Sequence, residues 1–374
     1  MFETSEFHAF LPPSGAGAWV RCPLWPTMNR LYPETEVKAP SLEGTAAHWV
    51  MRMNFAGMMP AVGDVAPNGV RVDEEMQEGA ELLRKATIER GGKDWQQYAR
   101  VEQRVQIPQV HATENSGTPD ISLLLPLHLH VIDYKYGHGF VDAEENWQGL
   151  NYSASWRPIL SDAHKVTITI VQPRAYHPLG SVRSWTFDRE LLDKRIFQLQ
   201  MAADEATGDA PQAKPNPDSC EHCPGRHACS GLVAAAGHVM QRAYTPIPVN
   251  MTGEQMGLYL RNLSAAKSLL DAHVSGLEEQ IEARLRMGDR VPYWKLQKSQ
   301  PRLSWDLSDR EIIEMGRHLQ LNLEKTPVAV TPLQAIKAGF PEEAINDFAQ
   351  RKGASTSLKP DDGRDILRIF NQQS

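Results

Sequence analysis

The sequence of 374 residues has little cysteine and no long apolar run. Four cysteines are too few for a disulfide framework in a chain of this length, and in a reducing compartment structural disulfides are not expected. No stretch has the roughly 20 apolar residues that cross a bilayer. The N-terminus also lacks the basic and apolar regions of a secretory signal. We therefore expect a cytoplasmic protein without a membrane partner.

Positive charge and a phosphate-binding loop are lacking as well. The formal net charge is -7, which argues against a surface coated with basic residues for nucleic acid, although a local basic groove is compatible with it. The motif G-x-x-x-x-G-K-[ST] does not occur, so the chain has no P-loop motor. An enzyme built on this chain would act without its own helicase, or with a partner protein.

The residues that are present predict an α/β protein. Segments with helical spacing cover 41–58, 73–90, 143–160 and 188–206, and strand-like segments cover 100–110, 117–125, 127–137, 164–174 and 181–187. This order predicts a mixed sheet flanked by helices. Beyond a break near residue 245 the pattern is mostly helical, with one further strand expected at 293–300. We predict two units, a domain over 1–243 and an α-rich extension of unknown role over 244–374.

Two charged residues interrupt a predicted strand, in the stretch HLHVIDYKYGHGF. Asp133 and Lys135 are two residues apart, so their side chains point to the same face of the strand. Asp120 begins the preceding strand, and a hairpin would bring it close to both. Two neighbouring carboxylates repel each other unless a cation lies between them, and Mg²⁺ prefers such oxygen ligands. The pattern indicates a metal site, with a structural cross-strand salt bridge as the alternative.

Several motifs in a fixed order resemble those of one enzyme superfamily. TPD, followed thirteen residues later by IDYK, resembles the signature of the PD-(D/E)XK nucleases. EGTAAHWV is similar to the upstream Gly-Thr-x-x-His helix of the RecB-type members, and WQGLNY is similar to their Gln-x-x-x-Tyr. VEQRV places Glu102 where those nucleases often have a glutamate. The resemblance covers roughly residues 15 to 235.

This resemblance implies the fold, the metal and the role of each matched residue. The fold would be a restriction-endonuclease-like core, and the metal would be Mg²⁺ or Mn²⁺. The metal ligands would be His48, Asp120, Asp133 and the backbone carbonyl of Tyr134. The catalytic residues would be Glu102, Asp120, Asp133, Lys135, Gln148 and Tyr152. Among these, Lys135 would be the catalytic lysine, while Gln148 and Tyr152, four residues apart on one side of a helix, would position the scissile phosphate or the attacking water.

Two of these residues also have an ordinary structural interpretation. Glu102 is equally typical of a solvated charge at the edge of a strand. His48 is typical of a core or boundary residue on an amphipathic helix, and it is the motif order that favours a metal ligand.

The cysteines form one cluster and one remote residue. Cys220, Cys223 and Cys229 are spaced C-x2-C-x5-C, and Cys22 lies far upstream. Four thiolates suit either structural Zn²⁺ or a [4Fe–4S] cluster, so the spacing leaves both metals open. The arrangement resembles that of the AddB-type iron–sulphur nucleases, which favours the cluster. In a zinc site His222 or His227 would be an alternative ligand.

Together these features predict a metal-dependent DNA nuclease, most simply an exonuclease. The pattern also resembles an uncharacterised phage and prophage family, which implies a role in phage DNA recombination, repair or replication. The partners would be single-stranded or duplex DNA ends, and a recombination or single-strand-binding protein. The alternative is a non-catalytic DNA-binding or assembly module that retains the nuclease fold; DNA cleavage distinguishes the two.

Overall fold

A computed structural model describes residues 9–33, 39–175, 177–243 and 250–296 of the chain. Seven strands occur within these ranges: β1 (Ala99–Val101), β2 (Val105–Gln106), β3 (Ser116–Gly117), β4 (Ile121–Leu125), β5 (His128–Tyr134), β6 (Lys165–Val171) and β7 (Val182–Asp188). Five of these described strands form one sheet in the order β1-β4-β5-β6-β7, and β2 pairs separately with β3. β5 and β6 are parallel, whereas the other neighbours are antiparallel. The predicted mixed sheet is confirmed.

Helices lie on both faces of this sheet, and further helices pack together around the cysteine segment. They are α1 (Ala16–Trp19), α2 (Trp25–Leu31), α3 (Ala39–Phe55), α4 (Glu74–Gly91), α5 (Trp95–Tyr98), α6 (Trp147–Ser155), α7 (Arg189–Thr207), α8 (Pro217–Cys220), α9 (Ser230–Ala243) and α10 (Gly253–Arg286). Short 3-10 turns cover Pro13–Gly15 and Arg157–Ile159. The four helical segments predicted from spacing correspond to α3, α4, α6 and α7, so the α/β class is confirmed.

Alternation along the strands divides the core into two layers. Ile132 and Tyr134 of β5 pack with α3 and α4 on one face. Leu129 and Val131, whose side chains alternate to the opposite face of the strand, pack with α6 and α7 on the other. Because both faces of β5 are covered, this strand is buried over nearly its whole length. Charged side chains at its end therefore need partners.

Polar caps fix the starts of the helices that frame the sheet. The side chain of Asp73 accepts a hydrogen bond from the amide of Met76 at the start of α4. Asp188 does the same for Leu191 at the start of α7. Each cap satisfies an amide that has no partner inside the helix, which contributes about 1 kcal/mol.

The structure departs from the predicted strands at two places. The segment 100–110 is not one strand, because Glu102 has a φ of 44° and the chain turns there from β1 to β2. Residues 293–296 of the strand expected at 293–300 are a turn and irregular backbone; a φ of 70° at Tyr293 is incompatible with a strand. The rest of that segment lies outside the described residues.

α10 packs against the segment that carries the cysteines, through Leu269 and Ala272, which contact Cys220 and Leu232. The compact unit that contains the sheet ends at Trp294 and therefore includes this helix. The domain boundary after residue 243 stays a prediction. Among the described helices, none is both long and apolar enough to cross a membrane.

Candidate functional site

The pairing of β4 with β5 brings two carboxylates to one edge of the sheet. Ile121 lies opposite Ile132 in this antiparallel pair, and one step further along the same register come Asp120 and Asp133. Both aspartates are buried, with exposed fractions of 9% and 3%. The spacing of TPD and IDYK therefore has a structural cause, because a tight hairpin places the two acids side by side.

α3 and the residue after β1 add an imidazole and a further carboxylate to this edge. Nδ1 of His48 lies 3.1 Å from Oδ1 of Asp120. One ligand atom each of His48, Glu102 and Asp120 lie within 4.8 Å of one another. Asp133 is not a member of this trio. The trio nevertheless unites three residues that are far apart in the sequence.

The conformation of Glu102 explains how it reaches the site. Its positive φ turns the chain out of β1, and its amide donates a hydrogen bond of 2.8 Å to the carbonyl of Asp120. The side chain is 20% exposed, so Glu102 is not a solvated charge at a strand edge. A left-handed conformation at a residue other than glycine costs about 1–3 kcal/mol, and such strain is most common at functional sites.

Lys135, Asp133 and Gln148 form a closed polar triangle beside the trio. Nζ of Lys135 lies 2.9 Å from Oδ2 of Asp133 and donates a hydrogen bond of 2.8 Å to Oε1 of Gln148. Nε2 of Gln148 in turn donates to Oδ1 of Asp133 at 2.9 Å. Gln148 lies in the first turn of α6, whose start is capped by the side chain of Asn146. The lysine is thus held in one place by two partners.

Tyr134 and Tyr152 contact the site through the segment that carries Asp120. The amide of Tyr134 donates to Oδ2 of Asp120 at 2.7 Å. The hydroxyl of Tyr152 donates to the carbonyl of Thr118 at 3.1 Å, two residues before that aspartate. Both contacts fix the position of the Asp120 carboxylate. A metal contact of the Tyr134 carbonyl and a phosphate contact of Tyr152 stay predictions.

Two opposing effects set the pKa values of the site: burial favours the neutral form of each group, and a nearby opposite charge favours the ionised form. Burial raises the pKa of Asp133 and of Glu102 above the ordinary carboxyl range. Asp120 is also buried, but His48, a backbone amide and Lys135 together hold its pKa below that range. Burial alone would lower the pKa of Lys135, but the adjacent Asp133 outweighs it and raises that pKa. Two carboxyl groups whose pKa values are shifted in opposite directions, next to a charged lysine, are typical of functional sites.

The donor atoms of this edge fit a hard divalent cation. Oδ2 of Asp133 is buried, and its partner among the described residues is the ammonium of Lys135 at 2.9 Å. A buried carboxylate oxygen in this state can still take a cation. Two carboxylates with one imidazole suit Mg²⁺ and, because of the nitrogen, also Mn²⁺. The cluster of His48, Glu102 and Asp120 can therefore bind a divalent metal ion.

Sequence patterns missed Arg52, which lies at the rim of this site. Its Nη1 donates to Oε2 of Glu102 at 3.1 Å, and the side chain is 55% exposed. Arg52 follows His48 by four residues in α3, so the two lie on the same side of the helix. The four-residue spacing from His48 was the sequence feature that could have identified Arg52.

The four cysteines lie around one cavity at a separate place. Cys22, Cys220, Cys223 and Cys229 line it together with apolar residues that include Trp25 and Met28. All four are free thiols. In the described part of the chain, no three of their sulfur atoms lie within 4.8 Å of one another. Tetrahedral zinc with bonds of about 2.3 Å requires sulfur atoms about 3.8 Å apart, so a zinc geometry is not preformed.

Burial also opposes ionisation of these thiols. It raises the pKa of Cys220 and raises that of Cys223 to about 12. A thiol must lose its proton before it binds a metal, so metal binding here would release protons and depend on pH. The sequence thus predicted which cysteines meet around one cavity, and the structure shows that their sulfur atoms are further apart than a zinc ion requires.

The fold and the site together define an α/β protein with carboxylate, imidazole and ammonium groups at one edge of a mixed sheet. The family described as "Protein of unknown function (DUF2800)" matches residues 8–356. The chain belongs to this family.

The solved structures that resemble the chain include the following two. One is a protein from Eubacterium rectale provisionally named an exonuclease, with 12% identity, a TM-score of 0.36, and coverage of 67% of this chain and 97% of that one. The other, named SSO0001, has 12% identity, a TM-score of 0.28, and coverage of 59% and 84%. At TM-scores this low, neither likeness carries an argument about function.

Proposed function

We propose that this protein is a metal-dependent DNA nuclease whose active site is the edge formed by β4, β5, α3 and α6. The observation that supports the proposal most is the convergence of His48, Glu102 and Asp120 within 4.8 Å, next to a lysine paired with Asp133. These residues come from four separate segments of the chain. A cross-strand salt bridge needs two charges, whereas this edge assembles three carboxylates, an imidazole and an ammonium.

The chain's own residues can bind and orient a phosphodiester at this edge. Mg²⁺ or Mn²⁺ held by His48, Glu102, Asp120 and Asp133 would activate a water and offset negative charge on the phosphate. Lys135 keeps its positive charge because of Asp133, and 28% of its side chain is exposed. It can therefore stabilise charge that develops on a phosphate oxygen. Gln148 contacts both the acid and the lysine and fixes their spacing.

Cleavage of labelled DNA tests this proposal. The protein is purified anaerobically and incubated with Mg²⁺ or Mn²⁺ and with single- or double-stranded DNA. Lys135→Ala and Asp133→Ala should each lower the cleavage rate at least about 100-fold. Lys165→Ala is the matched control, since Lys165 is an exposed lysine at the opposite end of the parallel strand pair. It should cleave like the wild type.

The outcomes separate the two functions that the sequence leaves open. Cleavage that survives both substitutions would reject this site. DNA binding without cleavage by the metal-loaded wild type would favour a non-catalytic DNA-binding or assembly module.

We also propose that the cysteine cavity holds a [4Fe–4S] cluster with a structural role. The four cysteines share one cavity, and their sulfur atoms are not in the close arrangement that a single zinc ion requires. Metal bonds to Cys22 and to the 220–229 segment would join the two ends of the nuclease domain and restrict the unfolded chain. Structural Zn²⁺ is the alternative, and analysis for iron, sulfide and zinc distinguishes them.

The finer biological role rests on the resemblance of the motifs. We propose an exonuclease that acts on DNA ends in phage recombination, repair or replication, with a recombination or single-strand-binding protein as partner. Digestion of linear DNA but not of closed circular DNA supports the exonuclease assignment, and nicking of the circle argues for an endonuclease.

A further inference from the structure

The loop that follows the candidate lysine is bound tightly to the sheet. Gln172 is fully buried, and its Nε2 donates to the carbonyls of Gly137 and Gly139 at 2.9 and 2.6 Å. Its Oε1 accepts a hydrogen bond of 3.3 Å from the amide of Val141. One buried side chain therefore binds three points of the loop over 137–141. Surface loops rich in glycine are normally mobile, so this degree of fixation requires a reason.

A buried arginine from β7 completes the support. Arg183 is 4% exposed and donates to Oε1 of Gln172 at 2.7 Å and to the carbonyl of Val141 at 2.8 Å. The carbon at the centre of its guanidinium lies 4.9 Å from the ring centre of Phe140. Arg183, which helps to hold the loop, thus also places a positive charge beside the ring of Phe140. A cation at this distance is attracted to the π electrons of the ring.

Phe140 is presented to solvent by this support. Its ring stacks on that of His177, with centroids 4.6 Å apart and planes inclined by 14°. Even so, 51% of Phe140 is exposed. A large apolar side chain fixed at the surface by a stacked imidazole and a buried cation is held in a defined orientation, unlike a residue that is merely exposed.

This ring lies at the same edge of the sheet as the proposed active site. The amide of Lys135 donates to the carbonyl of Val171 at 2.9 Å, the residue immediately before Gln172. Phe140 is five residues beyond Lys135, so a fully extended chain would separate them by roughly 17 Å. A stacked strand of DNA advances about 3.4 Å per nucleotide. The ring is therefore within about five nucleotide steps of the lysine.

We propose that Phe140, stacked on His177 and supported by Gln172 and Arg183, is a stacking platform for a nucleobase of single-stranded DNA. The inference rests on the proposed nuclease function and specifies its substrate. Every base has an aromatic face, so stacking binds single strands with little sequence preference. In a duplex those faces are already stacked on neighbouring bases. The platform thus favours a single strand, or a frayed end, next to the cleavage site.

Binding of short oligonucleotides to the full chain in Ca²⁺ tests this inference. Phe140→Leu keeps an apolar side chain but removes the aromatic face, and should weaken binding of an oligothymidylate by about 5- to 150-fold. Binding of a blunt duplex should change less than about two-fold, and Phe140→Trp should bind single strands as tightly as the wild type. Leu127→Ala is the control, because this exposed leucine precedes β5 at the opposite end of the strand.

An oligomer of abasic sites separates stacking from a structural effect. The wild type should bind it more weakly than the oligothymidylate of equal length, whereas Phe140→Leu should bind the two alike. The salt dependence of binding should be the same in both proteins, since no phosphate contact is removed.

Equal binding of single strands by Phe140→Leu and the wild type would overturn the inference, and so would a wild type that does not bind single strands. A loss shared by duplex and abasic DNA would also overturn it. The proposed nuclease function is tested separately, by cleavage with the wild type and Lys135→Ala. If the wild type cleaves DNA but the Phe140 variant binds single strands normally, only the stacking inference is rejected and the proposed nuclease function stands.

Discussion

The two candidate metal sites differ in how far the folded chain prepares them. At the carboxylate site, sheet register, a helix and a bent strand end bring His48, Glu102 and Asp120 within 4.8 Å. At the cysteine site, four thiols surround one cavity, but the sulfur atoms stay further apart and burial holds the pKa of Cys223 high. The fold assembles the first site, whereas the four thiols of the second stay further apart than a zinc ion requires.

Their positions in the fold explain this difference. Asp133 lies within β5, while Glu102 directly follows β1 and Asp120 directly precedes β4. The hydrogen bonds of these paired strands therefore fix the backbone at or next to each carboxylate. The cysteines lie in short helices and turns such as α8, where their backbone hydrogen bonds join residues only three or four apart. A site on strands can exist before the metal binds, whereas for a site on short segments metal binding becomes part of the folding free energy. We therefore expect metal removal to affect the two regions very differently.

Loss of one cysteine should have the largest effect. Cys223→Ala should lose the proposed cluster and expose the amides of 215–232 to hydrogen exchange, because binding at a structural metal site is coupled to folding; for structural Zn²⁺ in zinc-finger peptides this binding contributes about 10–16 kcal/mol. The affinity for Mn²⁺ at the carboxylate site should change less than about two-fold. Metal analysis, hydrogen exchange and calorimetry with Mn²⁺ measure these three quantities.

The reciprocal substitution is the control for this experiment. Asp133→Ala should lose Mn²⁺ binding and retain iron at the wild-type level. Retention of iron and of cleavage activity by Cys223→Ala would reject the cluster. Loss of Mn²⁺ binding in that variant would show that the two sites are not independent, which contradicts the comparison.

A smaller effect is expected for Glu102→Gln. This change keeps the shape of the side chain but removes the charge that faces His48 and Asp120, so the affinity for Mn²⁺ should fall at least about 10-fold. The global stability should change little, because Arg52, its partner, is more than half exposed. Titration calorimetry measures the affinity.

Glu89→Gln is the matched control, since Glu89 is an exposed glutamate on α4, and it should bind Mn²⁺ like the wild type. Unchanged Mn²⁺ affinity in Glu102→Gln would mean that Glu102 serves the ion pair with Arg52 and not the metal.

The difference between the two sites also marks what the sequence can predict. The pairing of Asp120 with Asp133 follows from strand alternation and a short connection, both of which are local patterns. The bend at Glu102 has no local signal, since a positive φ at glutamate is intrinsically unfavourable and is imposed here by the tertiary structure. Gln172 supports its loop through contacts across 31 to 35 residues, which no periodicity reveals.

The cysteine segment shows a second limit of prediction. The count of four cysteines and the resemblance to iron–sulphur nucleases predicted that Cys22 would join the three downstream cysteines. The four line one cavity, but among the described residues no three of their sulfur atoms lie within 4.8 Å of one another. Neither signal contains the separation of the sulfur atoms, which depends on how the short segments pack.

The smallest predicted effect compares one tightly packed glycine from each region. A Cβ on Gly79 of α4 would lie 2.3 Å from the hydroxyl oxygen of Tyr134, a fully buried ring between the two site residues of β5. A Cβ on Gly225 would meet Cε of Met28 at 2.5 Å, which can move with the flexible side chain. It would also lie 2.9 Å from Cβ of Met28 and from a ring carbon of Tyr32. Gly44→Ala, a helical glycine with open space around it, serves as the reference for helix propensity.

Relative to Gly44→Ala, Gly79→Ala should therefore lower the free energy of unfolding by about 1–3 kcal/mol, because the rigid ring cannot move aside. Gly225→Ala should cost less than Gly79→Ala, because Cε of Met28 can move and the remaining contacts at 2.9 Å need a smaller shift than the contact at 2.3 Å. Urea denaturation of the metal-loaded protein measures each value. A larger loss of unfolding free energy at Gly225 than at Gly79 would mean that the cysteine segment is packed as rigidly as the sheet. The positions of its sulfur atoms would then be determined by the fold and not by a metal.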